Sequence, residues 1–274
     1  MQSKDKNVSV DTIDGKPYYY IDSSIIIILQ RLEEYYDQGK SDAEIIEFLT
    51  KNNRMSEAGA RNLLEKYELN KKGKLVFCIT PTVYRETMLD ARVKYTHKFV
   101  QSRCKLVMPN INLAQFADLT RTIALEFETA ASNNGHKGLN PSIRDDGKDD
   151  NLEDRTIWAE VVAFSSLGKR NIKFIDCGKS KATVRENDKS VERLEKRYRQ
   201  CQVGYGRDLS GTFRRNDVVN IFMHSNPNDF GDSLRANEDV RTVSFKVRDI
   251  IQKLLSNGSR LNVLTPDEVE KGGF

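Results

Sequence analysis

The chain has 274 residues, of which 38% are hydrophobic and 31% are charged, and its formal net charge is +4. This composition predicts a globular protein of one large or two small domains, and the mild basic excess is compatible with an anionic partner. No apolar run approaches the roughly 18–20 residues that a membrane-spanning helix needs. The four cysteines form no CxxC pair, so we expect no zinc site and a cytoplasmic protein with reduced thiols.

The three histidines are His97, His136 and His224, and they are far apart in the chain. They show no helical HxxxH spacing, which would place two of them on one face of a helix. We therefore interpret each as a surface or loop residue rather than as a metal ligand.

The first strong element is an apolar strand that ends on an acid. Tyr18–Ile21 are aromatic and β-branched residues, which is typical of a buried strand, and Asp22 follows them directly. Ser23 and Ser24 then open a helix whose apolar run is Ile25–Leu32. Asp22 either caps this helix or is the first ligand of a divalent metal, since ligands bind at the carboxyl ends of the strands in open α/β sheets. The choice depends on whether other acids reach the same edge.

A small helical insert is predicted next, at residues 41–72. Ser41 and Glu44 form a capping-box pattern, and Ser56 opens a second helix. The pair of helices serves either as a packing cap or as a lid or partner surface.

The second predicted strand is Leu75–Ile79, and Pro81 favours the first turn of a helix after it. Glu86 then lies on the first turns of this helix, near the same sheet edge as Asp22. Periodicity alone describes Glu86 as an ordinary helical glutamate, and the helix continues to about Gln101.

A third strand, Lys105–Met108, precedes a long helix at Ile111–Ala131. The loosest segment follows, at residues 133–151, and it contains a run of acids that is typical of a solvated loop. Asp154 comes next, in the first turn of another helix, where the helix dipole by itself favours an anion.

The pattern of Asp22 recurs where Asp176 directly follows the apolar strand Asn171–Ile175. Further strands are predicted at Val218–Met223 and from Leu261 onwards, with a helix at residues 240–255 between them. Alternation of strands and helices along the chain predicts an α/β fold with a mainly parallel central sheet.

Basic residues are concentrated between Lys179 and Arg215, with tyrosines and a phenylalanine among them. Cations neutralise phosphates and aromatic faces stack on unpaired bases, so this segment is a candidate track for a nucleic-acid strand. The candidate residues are Arg193, Arg197, Tyr198, Arg199, Arg214 and Arg215. The alternative is a charged helix and loop whose own glutamates balance the cations.

Taken in order, five short segments resemble the PIN-domain nucleases, a superfamily that includes the toxins of bacterial toxin–antitoxin pairs and several RNA-processing enzymes. The segments are Tyr20–Ser24, Ile79–Glu86, Leu106–Pro109, Asp154–Glu160 and Leu261–Glu268. The resemblance implies one PIN-like domain over residues 1–274, built as a three-layer α/β/α sandwich. Residues 41–72 and 179–256 are then a helical insert and a basic, aromatic insertion.

Members of this family bind Mg²⁺ or Mn²⁺ through three or four acids at one edge of a parallel sheet and cleave phosphodiester bonds. The resemblance makes Asp22 the first acid, Glu86 the second and Asp154 the third. Ser24 would orient the first acid or a bound water. Hard divalent ions prefer such oxygen ligands, and clustered carboxylates repel one another unless a cation neutralises them.

The fourth acid has two candidates. Asp176 has the expected distance after the Asp154 helix, although Phe174 stands where the family usually has Thr or Ser. The segment Ser225–Phe230 also looks like the late motif of the family, which would make Asp229 the fourth acid and residues 169–219 an insertion. We prefer Asp176 as the prediction and keep Asp229 as its alternative.

The resemblance implies a metal-dependent endoribonuclease that cuts single-stranded or structured RNA. The alternatives are a structure-specific DNA nuclease and a hydrolytically silent, PIN-like binding or scaffold protein. We also expect a homo-oligomer without a membrane partner, and a regulatory protein or antitoxin as a further partner. In the scaffold alternative, a partner regulates the protein through residues 41–72.

Overall fold

The computed structural model describes residues 9–53, 55–89, 96–133, 150–167, 169–201, 218–225 and 260–268. The strands are β1 (Ser9–Val10), β2 (Thr12–Ile13), β3 (Lys16–Ile21), β4 (Val76–Ile79), β5 (Cys104–Pro109), β6 (Ile172–Asp176), β7 (Val218–Met223) and β8 (Arg260–Leu264). The helices are α1 (Ser23–Asp37), α2 (Asp42–Asn52), α3 (Glu57–Lys71), α4 (Pro81–Tyr84), α5 (His97–Arg103), α6 (Leu113–Asn133), α7 (Asp150–Leu167) and α8 (Lys181–Gln200).

The strands form one sheet whose order is β1-β7-β3-β4-β5-β6, with β2 paired to β3 and β8 paired to β7. Strands β3, β4, β5, β7 and β8 run parallel to one another, whereas β2 and β6 pair antiparallel with β3 and β5. All six strands predicted from the sequence are present, as β3 to β8. The predicted α/β class with a mostly parallel central sheet flanked by helices is therefore confirmed, and the arrangement is compatible with three layers.

The centre of the sheet is the most apolar part of the chain. Residues Tyr18–Ile21 of β3 are at most 4% exposed, because β4 lies on one side of this strand and β7 on the other. Aromatic and β-branched side chains fill such a doubly covered sheet well, and their burial stabilises the fold. Because β3 is held in the core, the position of Asp22, which follows it directly, is also fixed.

Strand β6 departs from the predicted parallel pattern. It pairs antiparallel with β5, so that Ile172 lies opposite Pro109 and Asp176 lies opposite Lys105. The connection from α7 therefore enters β6 at the carboxyl end of β5. In consequence, the carboxyl end of β6 lies at the opposite edge of the sheet from that of β3.

The two helices predicted within residues 41–72 are present, as α2 and α3 between β3 and β4. Ser41 and Glu44 make the capping box of α2, in which each side chain bonds the other's backbone N–H. Ser56 caps α3 and also donates to Asp267, which lies beyond β8. The insert is thus tied to the end of the described chain.

Of the helix predicted to continue from Glu86 to Gln101, the structure describes two parts. A π-helical turn at Arg85–Leu89 follows α4, and helix α5 begins at His97. The helix predicted at residues 240–255 lies outside the described residues. Among the helices that the structure does describe, none has the length and apolarity that crossing a membrane requires.

Candidate functional site

Asp22 lies immediately after β3 and is the N-cap residue of α1. Its Oδ2 accepts a hydrogen bond from the backbone N–H of Ser24 at 3.1 Å and another from the Ser24 hydroxyl at 2.6 Å. Asp22 is only 3% exposed. The capping interpretation is therefore confirmed, and it leaves the metal-ligand interpretation open because an ionised carboxylate has about four acceptor sites on two oxygens.

A backbone hydrogen bond links the carboxyl ends of β3 and β7 beside Asp22. The backbone N–H of Asp22 donates to the carbonyl of Met223, the last residue of β7, at 3.1 Å. Two residues further on, the N–H of Ser225 donates to the Ser24 hydroxyl at 3.2 Å. The segment that follows β7 therefore starts at the cap of α1, beside Asp22.

The structure places Glu86 beyond the carboxyl end of β4, the other neighbour of β3. Thr80 caps α4 by accepting from the N–H of Val83, and α4 passes after one turn into the π-helical turn at Arg85–Leu89. Glu86 is half-buried on this turn. Such turns are rare and frequently mark functional sites. The predicted strand-to-helix junction is present.

Asp154 lies in the amino-terminal part of α7, and its side chain is outside the described residues. One turn later, the Trp158 ring packs against Phe222 of β7 with the ring centroids 6.0 Å apart. Phe222 pairs with Tyr20, two residues before Asp22. This part of α7 therefore packs on the centre of the sheet, close to the strand ends that carry the predicted site.

Asp176 lies away from Asp22 and Glu86. The prediction that it reaches the same sheet edge as the fourth acid is therefore wrong. Because β6 is antiparallel, Asp176 pairs with Lys105 near the start of β5, at the opposite edge of the sheet from Asp22. Its side chain is 76% exposed, and Oδ1 accepts from the Lys105 ammonium at 2.7 Å. The sequence correctly predicted an acid at the end of an apolar strand. It did not predict that this strand runs antiparallel to β5.

The alternative fourth acid, Asp229, lies outside the described residues. It follows β7 in the chain, however, and β7 runs parallel to β3 with its carboxyl end beside Asp22. The topology therefore favours the segment after β7 over the segment after β6 as the source of a further acid.

Sequence reasoning missed Glu160, which is fully buried on α7. Its Oε2 accepts from the backbone N–H of Thr82 at 3.1 Å, and its Oε1 accepts from the Tyr198 hydroxyl at 2.7 Å. Burial raises the pKa of Glu160 to about 7, although these hydrogen bonds and the Thr80 hydroxyl act to lower it. The sequence signal that could have identified it is a lone acid within the apolar run Ile157–Phe164.

Helix α8 presents two different faces. Its buried positions Asn187, Val191 and Leu194 recur at helical spacing, and Tyr198 continues this inner face. The half-buried Tyr198 ring packs against the core and its hydroxyl bonds Glu160, an arrangement that does not favour the predicted stacking on bases. The outer face carries exposed cations, which are Lys181, Arg185, Lys189, Arg193, Lys196, Arg197 and Arg199. Arg214 and Arg215 lie outside the described residues.

His224 was also misjudged, because it is fully buried rather than at the surface. It follows the last residue of β7, its N–H donates to the carbonyl of Leu264 at 3.1 Å, and its ring lies 6.0 Å from that of Phe222. It thus occupies, on β7, the position that Asp22 occupies on β3. His97 is half-buried at the start of α5, and His136 lies outside the described residues.

The donor set at the carboxyl edge is compatible with a hard divalent cation. Asp22 and Glu86 supply carboxylate oxygens, which Mg²⁺ and Mn²⁺ prefer over nitrogen or sulfur. Within the parts of the chain that the structure describes, no group of three or more His, Cys, Asp or Glu side chains is assembled that could hold a metal ion. The Asp154 side chain and Asp229 are not among those residues.

The chain was compared with known proteins in three ways. No family model matches it, and neither a curated protein nor a solved structure does.

Proposed function

We propose that the protein is a metal-dependent phosphodiesterase, most simply an endoribonuclease of PIN-like architecture. The observation that carries the proposal is the junction of β3, β4 and β7, where the buried Asp22 lies between two parallel neighbours. In open α/β sheets, the carboxyl ends of the strands are where ligands bind.

The proposed ligands are Asp22, Glu86 and Asp154, with Asp229 in place of Asp176 as the fourth. A bound divalent ion lowers the pKa of a coordinated water and stabilises the charge that develops at the phosphate. Ser24 has a defined part, because its hydroxyl donates to Asp22 and accepts from Ser225. It would hold the first acid and the segment after β7 in one arrangement, as residues that orient metal ligands do.

The proposed substrate is a nucleic acid, because α8 carries a basic outer face, and the resemblance to PIN-domain nucleases makes RNA the first candidate. The exposed Arg193 and Arg197 would neutralise phosphates, and Arg199 lies on the same face in an ion pair with Glu195 at 3.9 Å. Since a phosphate track does not distinguish RNA from DNA, a structure-specific DNA nuclease remains the alternative of the same class.

The test is cleavage of a mixed RNA pool, and of single-stranded and branched DNA, by the full chain in Mn²⁺ and in EDTA. We expect Mn²⁺-dependent cleavage of RNA, and a loss of at least about 100-fold in Asp22→Asn, because a metal ligand supports several kcal/mol of charge stabilisation. Asp37→Asn is the matched control, since Asp37 is an exposed acid at the other end of the same helix.

Cleavage of DNA alone would reassign the substrate. Binding of RNA or DNA by a wild-type chain that cuts neither would instead show a silent binding or scaffold protein. Retention of full activity by Asp22→Asn would remove the acid cluster from the mechanism.

A further inference from the structure

The segment that carries Glu86 contacts helix α8, and the buried carboxylate of Glu160 forms hydrogen bonds to both. Glu160 of α7 is fully buried, and it accepts from the backbone N–H of Thr82 and from the Tyr198 hydroxyl. The hydroxyls of Thr80 and Thr82 also bond it. One carboxylate thus joins the first turn of α4 to α8.

Two further contacts bind α8 to the residues that directly precede Glu86. The Tyr84 hydroxyl donates to Asp188 Oδ1 at 2.9 Å. Arg85 Nε and Glu195 Oε1 form an ion pair at 2.6 Å, and both side chains are less than one-third exposed. Glu86 therefore follows two consecutive residues whose side chains are fixed to the same helix.

The inner and outer faces of α8 differ in chemistry. Its inner face supplies Asp188, Glu195 and Tyr198 to the contacts with α4, the π-helical turn and Glu160. Its outer face presents the exposed Arg193 and Arg197 to solvent. A strand bound on the outer face would thus lie on the helix that determines where the Glu86 segment sits.

A buried carboxylate is costly unless its hydrogen bonds are made, so this network has one well-defined arrangement. The π-helical turn that carries Glu86 follows directly, and turns of this kind are rare and frequently lie at functional sites. We propose that Glu160 and Tyr198 are positioning residues, which hold the α4 segment, and through it Glu86, against the substrate-binding helix α8. This inference rests on the proposed function.

The decisive variant is Tyr198→Phe, which removes one hydroxyl and keeps the ring. We expect kcat for Mn²⁺-dependent RNA cleavage to fall about tenfold with KM unchanged, because small misplacements of a reacting group cost up to about 100-fold. Its matched control is Tyr36→Phe, which removes a hydroxyl that bonds Asp42 in the helical insert. Arg193→Gln and Arg197→Gln should show the opposite split, with a raised KM and an unchanged kcat.

A second pair of variants separates positioning from folding. Glu160→Ala should lower kcat more than Tyr198→Phe does. Glu160→Gln should keep most of the wild-type kcat, because its amide oxygen still accepts from the backbone N–H of Thr82. The double variant Glu160→Gln/Tyr198→Phe should be non-additive in kcat, since both changes act on one hydrogen bond. Mn²⁺ affinity, followed by electron paramagnetic resonance, should fall in Tyr198→Phe and not in Tyr36→Phe.

The outcomes distinguish the two proposals. If the wild type cuts RNA and Tyr198→Phe matches Tyr36→Phe in both kcat and Mn²⁺ affinity, the positioning role is overturned while the nuclease function stands. If the wild type neither binds Mn²⁺ nor cuts RNA or DNA, both proposals are overturned together.

Discussion

The carboxyl ends of β3 and β6 have the same sequence pattern and opposite surroundings. In each case an apolar strand leads to an aspartate. Asp22 follows a central strand, is 3% exposed and caps α1. Asp176 ends a strand that pairs antiparallel with β5, and its side chain is 76% exposed and paired with Lys105.

The difference teaches that strand direction, rather than the pattern itself, decides whether such an acid belongs to a site. Parallel neighbours bring their carboxyl ends to one edge, so the acids that follow them converge. An antiparallel neighbour sends its carboxyl end to the other edge. An exposed ion pair such as that of Asp176 contributes about 0–1 kcal/mol, because water screens it. The charge of a buried carboxylate such as Asp22 is screened much less, so a bound cation would change the free energy more there.

The largest expected effect tests which strand supplies the fourth acid. We expect Asp229→Asn to reduce Mn²⁺-dependent RNA cleavage by at least about 100-fold, as loss of a metal ligand should. Asp176→Asn should stay within about twofold of wild type, because an exposed ion pair contributes little. Both variants are assayed as the full chain under identical conditions. The reverse result would break the comparison and would return the fourth position to β6.

The second prediction concerns the buried Glu160 and its effect on the free energy of unfolding. Burial raises its pKa to about 7, above the value of about 4.3 that it has in an unfolded chain. The native state then binds more protons between these two pH values, so the free energy of unfolding falls as the pH rises through this window. Glu160→Gln does not titrate there, so its stability relative to wild type should increase by about 3 kcal/mol between pH 4.5 and 7.

Urea denaturation at several pH values measures this difference. Tyr198→Phe supplies an internal check, because the Tyr198 hydrogen bond lowers the pKa of Glu160. Its removal should move the window to higher pH. Parallel stability curves for wild type and Glu160→Gln across the whole range would show that Glu160 does not titrate with a raised pKa.

The sequence predicted most of the strands and helices, but it did not predict how all the strands pair. Strands such as Tyr18–Ile21 are recognisable because aromatic and β-branched composition reflects burial. The capping box at Ser41 was equally recognisable, since its hydrogen bonds are local. Neither signal contains information on direction, so the orientation of β6 depended on tertiary pairing that the local pattern of residues does not encode.

The candidate site shows the same limit. Asp22 was located correctly because a strand and a helix cap are both local features. Glu160 and His224 were missed as buried groups, because their burial depends on contacts with residues distant in the chain, Tyr198 and Leu264. Tyr198 was predicted to contact nucleic acid, although its spacing from Val191 and Leu194 indicates the inner face of α8.

The smallest expected effect separates the capping role of Asp22 from its proposed metal role. In EDTA, Asp22→Asn should be more stable than Asp22→Ala by about 1 kcal/mol, because asparagine caps a helix as well as aspartate does. Asp176→Asn and Asp176→Ala should differ by less than about 0.5 kcal/mol, as exposed substitutions usually do. Both differences are measured by urea denaturation. Equal stabilities for the two Asp22 variants would show that the bond from Ser24 to Asp22 contributes nothing to α1. The cap would then not be the reason that this position carries an aspartate, and the proposed ligand role would be the better account of it.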